Sequence, residues 1–405
     1  MKVQLWSYNY DPEPSGIAPL SAAMARALAA RGHQVEVVAA HPHYPEPRWG
    51  SRALPYRESR DGIRVLRLPI WIGRETKAER IRQELSHVTA LGLAAPFLRR
   101  PDVILAVSPS FPALGVVMAV SRLRQVPWVL WLQDILPDGA TASGILKEGR
   151  LVDAARRFER AAYASASAIV VISDSFAENL AAKGVSGDRL VRLYNPATEA
   201  CQEQPQAARG GDGRTVLTMG NVGRTQNLVA VTRAFQESDA LSAVDARFVI
   251  AGDGVEGDAV RAAIETDRVR VTGVLETPAL ERELEQAEVA VVSQLYDGID
   301  FNVPSKLMNF MARGLPVVAA VRDDSEVARI VRASGGGWVA AGADMQEFVG
   351  LVADALNRPA ERAERGAAAL HFARANFTPD VLSEGMERTL AGVMQAGSEE
   401  SEQAR

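Results

Sequence analysis

Residues 301–318 read FNVPSKLMNFMARGLPVV, and this stretch contains a helix start, a helix end and the beginning of a strand. Pro304 is a residue type that begins helices, and Gly314 is typical of the position just after a helix. Pro316 then opens the next strand, which starts with two valines. The stretch therefore predicts one helix–strand unit of an α/β protein.

The same predicted helix carries chemical groups at its start. Ser305 supplies a hydroxyl and Lys306 an ammonium beside the amino end of the helix, where backbone N–H groups favour an anion. Asn309 follows Lys306 by three residues, so both side chains can face one ligand. The pattern predicts an anion-binding site. A short capped helix with a surface lysine is the alternative.

Outward from this stretch, short apolar runs alternate with helical segments over the whole chain. Runs with almost no polar residue are typical of parallel strands that are covered on both faces. The predicted strands are 3–7, 35–39, 65–68, 103–107, 128–132, 169–172 and 190–193, then 215–218, 248–251, 269–272, 289–292 and 317–319. This rhythm predicts an α/β protein with two Rossmann-like, doubly wound parallel-sheet domains.

One break in composition separates the two sets of strands. Residues 196–213 are rich in proline and glycine and have no apolar periodicity, so they are the predicted linker. The predicted parts are an N-terminal domain (1–195), the linker (196–213), a C-terminal domain (214–378), a helix that crosses back toward the N-terminal domain (379–396) and a disordered tail (397–405). Two such domains would face each other across a cleft, the usual ligand site of open α/β folds.

Composition excludes several classes of protein. Apolar residues make up 47% of the 405 residues and charged residues 23%, which is ordinary for a globular protein. The single cysteine, Cys201, excludes a disulfide framework and cysteine-based metal centres. The five histidines show no metal-ligand spacing, and His41 and His43 are expected in a surface loop. No metal ion is predicted, and the absence of a leader or spanning segment predicts a cytoplasmic protein.

Charge is distributed unevenly along the chain. The net charge is −5, but residues 1–195 carry 25 Lys and Arg against 18 Asp and Glu. A basic half can bind phosphates or lipid headgroups, and an arginine-rich surface without a partner is the alternative. Residues 69–100 mix cations with apolar residues, which indicates either a basic amphipathic helix on an anionic membrane or a helix packed on the sheet with a solvated face.

Two strand-to-helix turns carry glycines. Residues 9–20 contain Gly16 before a helix, and residues 219–228 contain Gly220, Gly223 and Arg224. Glycine lets a backbone approach a phosphate closely, and arginine supplies the counter-charge. Neither turn is G-x-G-x-x-G, so a nicotinamide-dependent dehydrogenase is disfavoured. An ordinary turn is the alternative reading of the first of them.

Together these residues resemble a family 4 retaining glycosyltransferase of GT-B architecture, in the branch typified by colanic-acid-type exopolysaccharide transferases. The resemblance covers nearly the whole chain, and the Pro-Ser-Lys block with Gly-x-Pro-Val-Val is its most specific part. The matching segments are 8–13 (YNYDPE), 16–17 (GI), 31–35 (RGHQV), 41–45 (HPHYP), 133–138 (QDILPD), 220–224 (GNVGR), 303–306 (VPSK) and 314–318 (GLPVV).

The resemblance implies transfer of a hexosyl unit from a UDP- or GDP-sugar to a hydroxyl of a saccharide, lipid-linked or other small-molecule acceptor in polysaccharide biosynthesis. It implies retention by a front-face mechanism without an enzyme nucleophile, no metal, no cofactor beyond the nucleotide-sugar co-substrate, and no nucleic-acid partner. It also implies a peripheral position on the inner face of the cytoplasmic membrane. The predicted catalytic residues are Arg224 and Lys306. The predicted donor-binding residues are Gly16, Gly220, Asn221, Gly223, Gln226, Asp253, Val274, Pro304, Ser305 and Asn309, and the predicted acceptor-binding residues are His43, Asp134 and Asp138.

The sequence departs from the family pattern at the donor site. Phe301 and Asn309 stand where many relatives have glutamates, the second of which binds the donor ribose. Asn221 and Gln226 align roughly with the usual Arg and Lys pair on the diphosphate, which leaves Arg224 and Lys306 as the available cations. A non-catalytic nucleotide-sugar-binding subunit and a nucleotide-sugar epimerase on the same fold are therefore the alternative functions.

Overall fold

The computed structural model describes residues 1–14, 16–44, 49–50, 52–73, 75–108, 110–135, 149–198, 201, 212–296, 303–341 and 344–403. Contacts within the chain divide it into two compact units. The first unit contains Met1–Leu193 together with Leu382–Arg405, and the second contains Tyr194–Val381.

The first unit is built on one twisted sheet. Its strands are β1 (Lys2–Ser7), β2 (Gln34–Ala40), β3 (Tyr56–Arg60), β4 (Ile63–Leu68), β5 (Val103–Val107), β6 (Trp128–Leu132), β7 (Ala168–Val171) and β8 (Leu190–Arg192). They lie in the order β3-β4-β2-β1-β5-β6-β7-β8. All pairs are parallel except β3 with β4, which are antiparallel.

Helices cover the sheet of the first unit. They are α1 (Ile17–Ala30), α2 (Lys77–Ala94), α3 (Leu114–Arg124), α4 (Arg150–Ser165) and α5 (Asp174–Ala182). The last helix, α14 (Pro379–Gln403), begins in the second unit and continues in the first. There Leu382, Met386 and Leu390 are buried in the same core cluster as Val3 and Leu5 of β1. This spacing of four residues places one apolar side of α14 on the first unit.

The second unit repeats the arrangement with six strands in the described residues. They are β9 (Thr215–Met219), β10 (Arg247–Ala251), β11 (Val269–Val271), β12 (Ala287–Ser293), β13 (Val317–Val321) and β14 (Gly337–Ala341). Their order is β11-β10-β9-β12-β13-β14, and every pair is parallel. The change of direction lies between β9 and β12, where an open α/β sheet binds its ligands at the carboxyl edge.

The helices of the second unit lie around this sheet. They are α6 (Leu228–Glu237), α7 (Asp239–Ala243), α8 (Gly257–Ala262), α9 (Thr277–Gln286), α10 (Ser305–Ala312), α11 (Glu326–Ser334), α12 (Met345–Asn357) and α13 (Pro359–Asn376). Helix α10 is buried over nearly its whole length, from Lys306 to Ala312. Its place against the sheet fixes the side chains that line the candidate site.

The structure confirms the predicted α/β class and the two parallel sheets, but four features differ from the sequence-based expectations. One of them is strand β14, which was not predicted. Strand β3 was not predicted, because its sequence YRESR has no apolar run and only an antiparallel edge pairing supports it. Tyr194 was predicted in the N-terminal domain and Ala197 in the linker, but both belong to the core of the second unit. Helix α14 continues to Gln403, where a disordered tail was expected from residue 397, because Glu and Gln are good helix formers.

Candidate donor site in the second unit

A cavity of about 390 Å³ lies at the carboxyl edge of the second sheet. It combines the turn after β9, the turn after β10 and the first turns of α10. Its lining residues are Thr198, Met219, Gly220, Asn221, Ala251, Gly252, Asp253, Val274, Leu275, Leu280, Ser305, Lys306 and Asn309. Seven predicted donor-site residues therefore come together here, namely Gly220, Asn221, Asp253, Val274, Ser305, Lys306 and Asn309.

Two glycine turns give the cavity its shape. Gly220 has a φ of 98°, a backbone conformation that L side chains rarely adopt. A Cβ added to Gly252 would lie 1.8 Å from the carbonyl oxygen of Gly220, so the two backbones can meet only without a side chain. The amide of Gly220 donates to the Ala251 carbonyl at 2.9 Å, and the amide of Val222 donates to the Asp253 carbonyl at 3.0 Å. These contacts hold the two turns together as one rigid wall.

Lys306 places a buried cation in this cavity. Its Nζ donates to Gln226 Oε1 at 2.6 Å and lies 3.4 Å from Thr218 Oγ1. No carboxylate among the described residues lies within ion-pair distance of this ammonium group. Burial lowers the pKa of Lys306 from 10.5 to about 8, because desolvation disfavours its charged form. A buried lysine without a counter-ion is suited to an anionic ligand.

Asn309 lies in the cavity wall and forms hydrogen bonds with Thr198, near the start of the second unit. Its Oδ1 accepts from the backbone amide of Thr198 at 2.9 Å, and its Nδ2 donates to Thr198 Oγ1 at 2.8 Å. Lys306 and Asn309 both line the cavity, in agreement with their three-residue spacing. The Asn309 amide is thus engaged with Thr198, and its predicted contact with a donor ribose stays a prediction.

The start of α10 faces the same cavity through Ser305 and Lys306. Pro304 occupies the N-cap position, and among the residues that the structure describes no side chain caps the first amides of the helix. The Ser305 side chain is exposed and supplies a hydroxyl at that end. Uncapped helix amides next to a buried ammonium make this edge of the cavity electropositive.

The remaining predicted donor-site residues lie beside the cavity or elsewhere. Gly223 precedes a short 3₁₀ turn that contains Arg224 and Gln226. The Arg224 side chain is 82% exposed, and its Nε lies 3.5 Å from Glu256, so it extends into solvent beside the cavity. Asp253, which lines the cavity itself, binds Arg261 at 2.7 Å, and this hydrogen bond lowers the pKa of its carboxyl group. Gly16 precedes α1 in the first unit.

Among the predicted acceptor-binding residues, His43 is buried and not in the surface loop that we expected. The buried carboxylate of Glu13 causes this difference, because its Oε1 accepts from the backbone amides of His43 at 2.7 Å and Tyr44 at 3.2 Å. Its Oε2 accepts from Asn9 Nδ2 at 2.6 Å. Glu13 therefore ties the turn after β1 to the turn after β2.

Asp134 and Asp138 follow β6 in the sequence. The surrounding protein partly desolvates the carboxyl group of Asp134 and so raises its pKa. Asp138 and Phe301 lie outside the described residues. Within the described part of the chain, no group of three or more His, Cys, Asp or Glu could hold a metal ion. None of the described helices is long and apolar enough to span a membrane.

Comparisons with known proteins agree with the two-unit architecture. Residues 15–196 match the family of the glycosyl transferase 4-like domain, and residues 213–358 match the glycosyl transferases group 1. WcaI of Escherichia coli (strain K12), whose name assigns it to colanic acid biosynthesis as a glycosyl transferase, is 26% identical over 82% of this chain and 86% of its own. WbjE of Pseudomonas aeruginosa, named as a glycosyltransferase, is 30% identical over 59% of this chain and 62% of its own.

Solved structures show the same fold at lower identity. Sucrose-phosphate synthase of Thermosynechococcus elongatus superimposes with a TM-score of 0.68 at 17% identity, covering 98% of this chain and 100% of that one. HepE of Anabaena in complex with UDP superimposes with a TM-score of 0.65 at 14% identity, covering 97% of this chain and 100% of that one. The two sheets and these neighbours show the GT-B fold, and the two family matches show the class, a glycosyltransferase. The chain belongs to family 4 of these enzymes and is similar to the colanic-acid-type branch.

Sequence reasoning missed six of the residues that line this cavity, among them Thr198 and Gly252. Thr198 lies in the predicted linker, and its contact with Asn309 joins positions 111 residues apart, which no local pattern reveals. Gly252 and Gly254 form a G-x-G directly after β10, and that spacing was a usable signal for a close backbone approach.

Proposed function

We propose that this glycosyltransferase transfers a sugar, with retention of configuration and without a metal ion, from a nucleoside diphosphate donor to an acceptor hydroxyl. The observation that carries the proposal is the buried ammonium group of Lys306, which has no carboxylate partner in the described part of the chain and lies in a cavity at the switch point of the second sheet. A diphosphate is the ligand that this charge, the glycine turns and the uncapped helix start would bind together.

The charges of the site act on the leaving group. When the bond between sugar and diphosphate breaks, negative charge grows on the diphosphate, so a fixed cation stabilises the transition state more than the bound donor. Lys306 would contact the diphosphate directly, and Arg224 would approach it from the neighbouring turn. The amides of α10 add a fixed dipole that requires no reorganisation during the reaction. The resemblance to family 4 supports the proposed retention by a front-face mechanism.

The remainder of the cavity would hold the nucleoside. We place the ribose near Asn309 and the base near Val274, whose side chain is exposed at the rim. The acceptor would be a saccharide, a lipid-linked sugar or another small molecule, and His43 and Asp134 of the first unit are the residues assigned to it. The proposed setting is the inner face of the cytoplasmic membrane, in polysaccharide biosynthesis. The printed name of WcaI supports this setting for a relative.

A calorimetric screen tests this proposal. Purified protein is titrated with UDP, GDP, dTDP and their sugars, and donors that bind are then incubated with acceptor mixtures and with EDTA. We expect one nucleoside diphosphate to bind, its sugar to be transferred, and turnover to survive chelation. Binding without transfer or hydrolysis of any donor would favour a non-catalytic subunit. Interconversion of two sugar epimers would favour an epimerase. Turnover that stops with EDTA and returns with Mg²⁺ would contradict metal independence.

A further inference from the structure

A basic groove lies at the amino edge of the first sheet, opposite the edge at which an open α/β sheet binds its ligands. Its volume is about 1380 Å³, and the amino ends of β1, β5, β6, β7 and β8 form its floor. The second half of α14 and the end of α3 form its walls. The charged residues that line it are Lys2, Arg100, Arg122, Arg189 and Arg388, against Asp102 and Asp188.

The positive charge of this groove is not neutralised within the described part of the chain. None of its five cations forms an ion pair with a carboxylate there, and Arg100 donates only to the Gln125 carbonyl, at 3.1 Å. Arg189 donates to three backbone carbonyls at the end of α4 and just after it, at 3.1–3.2 Å. The Asp102 carboxylate accepts from the backbone amide of Lys2 at 2.6 Å. The groove therefore favours an acidic segment as its occupant.

The wall contributed by α14 carries a self-complementary row of residues. Positions four apart share one side of a helix, and Arg388, Gly392 and Ala396 line the groove at this spacing. All three are exposed. Glu400 is the next position of the same row. The row thus runs from a cation through two small residues to an anion, and it matches itself when a second helix runs antiparallel to the first.

The glutamates of α14 fall into two groups. Glu384 and Glu387, in its first half, bind Arg31 and His33 of the first unit. The second group follows the groove-lining residues in the sequence and consists of Glu399, Glu400 and Glu402. The first group is therefore used within the chain, whereas the second has the charge that the groove favours.

We propose that two copies of this chain form a dimer through these grooves. The second halves of the two α14 helices would run antiparallel across a two-fold axis near residue 394. Arg388 of one copy would lie opposite Glu400 of the other, and Gly392 opposite Ala396. Each pairing occurs twice in a two-fold contact. The small residues let the helices approach closely, as in the packing of rows four residues apart.

A second copy suits the groove better than a bilayer does. A flat bilayer would touch the rim of a concave groove and leave the amino ends of the strands without contact. Like charges do not oppose the dimer. The two copies of Arg388 would lie about 18 Å apart along the helices, since 12 residues separate positions 388 and 400. This separation is about twice the screening length in physiological salt.

The dimer goes beyond the proposed sugar transfer and does not depend on it. The groove belongs to the first unit and shares no lining residue with the donor cavity of the second. Oligomeric state and diphosphate binding can therefore be measured separately on the same protein samples.

Sedimentation velocity of the full chain tests the dimer. We expect the wild type to dimerise as its concentration rises to about 100 µM, and less strongly at high salt. Arg388→Glu or Glu400→Arg alone should weaken dimerisation at least about tenfold, because each reversal replaces two attractions by two repulsions. The double variant should dimerise at least about fivefold more tightly than either single variant, since it restores opposite charges at both pairings.

A larger side chain at the centre of the contact tests the packing of the two helices without a change of charge. A Cβ added to Gly392 meets nothing within 4 Å in the single chain. Gly392→Leu should therefore leave the melting temperature of the monomer no lower, but it should weaken dimerisation at least about tenfold because the helices can no longer approach closely. Gly350→Leu is the matched control, at an equally open glycine of α12, and should leave dimerisation within about twofold.

A charge control and three outcomes decide the proposal. Arg282→Glu reverses an exposed arginine of α9, outside the groove, and should leave dimerisation within about twofold. A wild type that stays monomeric at low salt would overturn the proposal. Equal losses in control and test variants, or a double variant as weak as the single ones, would do the same. So would a monomer that floats with anionic vesicles and loses this binding in Arg388→Glu.

Discussion

Replacement of Lys306 by methionine should separate the stability of the second unit from its ligand binding. Methionine has a similar length and no charge, so it fills the same space between Gln226 and Thr218 without the cost of a buried ammonium group. We expect Lys306→Met to unfold no more easily than the wild type and to bind nucleoside diphosphates poorly. Such a trade between stability and function is typical of a binding residue.

The expected change in the free energy of unfolding follows from the pKa of Lys306. Its decrease from 10.5 to about 8 corresponds to a cost of about 3 kcal/mol for keeping the charge in the ligand-free protein, at 1.36 kcal/mol per pH unit. Methionine removes this cost but leaves Gln226 Oε1 without its donor, a loss of about 1–3 kcal/mol. The net expectation is a change between zero and about 2 kcal/mol in favour of the variant. Diphosphate affinity should fall about 10- to 150-fold, the value of one charged hydrogen bond.

Denaturant unfolding at pH 7 and at pH 10, with titration calorimetry on the same samples, measures both effects. Because the folded pKa lies below the unfolded one, the cost of Lys306 is fully present below pH 8 and disappears as the pH rises toward 10.5. The stability difference should therefore move in favour of the wild type at pH 10, by about 2–3 kcal/mol, because only the wild type loses this cost. Lys183→Met is the matched control, and it should destabilise the protein because it leaves the buried Glu159 carboxylate without its ion-pair partner. A Lys306→Met protein that is destabilised by several kcal/mol and still binds diphosphate would refute the reasoning.

Four further predictions concern the same unit. Arg224→Ala should reduce diphosphate affinity about tenfold and leave the melting temperature unchanged, because the side chain is exposed; equal affinity in calorimetry would remove Arg224 from the site. Asn309→Glu should tighten ribonucleoside diphosphate binding several-fold and affect the 2′-deoxy form less, since its carboxylate can still accept from Thr198 and accepts more strongly from ribose hydroxyls; abolished binding would show another role for Asn309. Wild-type diphosphate affinity should begin to fall between pH 7 and 8, since Lys306 is half deprotonated at its pKa of about 8, and should then fall up to about tenfold per pH unit, whereas titrations of Lys306→Met should show no such fall. Gly252→Ala should lower the melting temperature strongly because its Cβ overlaps the Gly220 carbonyl, while Gly350→Ala in α12, where nothing lies within 4 Å, should not; a neutral Gly252→Ala would contradict the close packing of the two turns.

The strands were predictable from the sequence wherever burial on both faces produces an apolar run. Strand β5 (VILAV) and strand β6 (WVLWL) were predicted with the bounds that the structure has. Strand β3 was not, because an edge strand with half-exposed polar residues resembles a loop. Strand β14 was missed as well, since GWVAA begins with glycine and contains small residues, and its support is the pairing with β13.

The candidate site was predictable where its residues are neighbours in sequence. The spacing of Lys306 and Asn309 on one helix, and the glycine turn after β9, follow from local geometry. The contacts between different helices and strands cannot be predicted from local geometry. Lys306 meets Gln226 across 80 positions, and the burial of His43 depends on the carboxylate of Glu13. The exposure of the Arg224 side chain could not be predicted either, because the same turn sequence allows a side chain to point toward a cavity or away from it.

A structure of the protein soaked with the tightest nucleoside diphosphate from the calorimetric screen tests the central claim most directly. The account predicts the diphosphate in the cavity of the second unit, with a phosphate oxygen within hydrogen-bond distance of Lys306 Nζ and of the first amides of α10. Electron density for the diphosphate elsewhere, with Lys306 still bound only to Gln226 and Thr218, would contradict it.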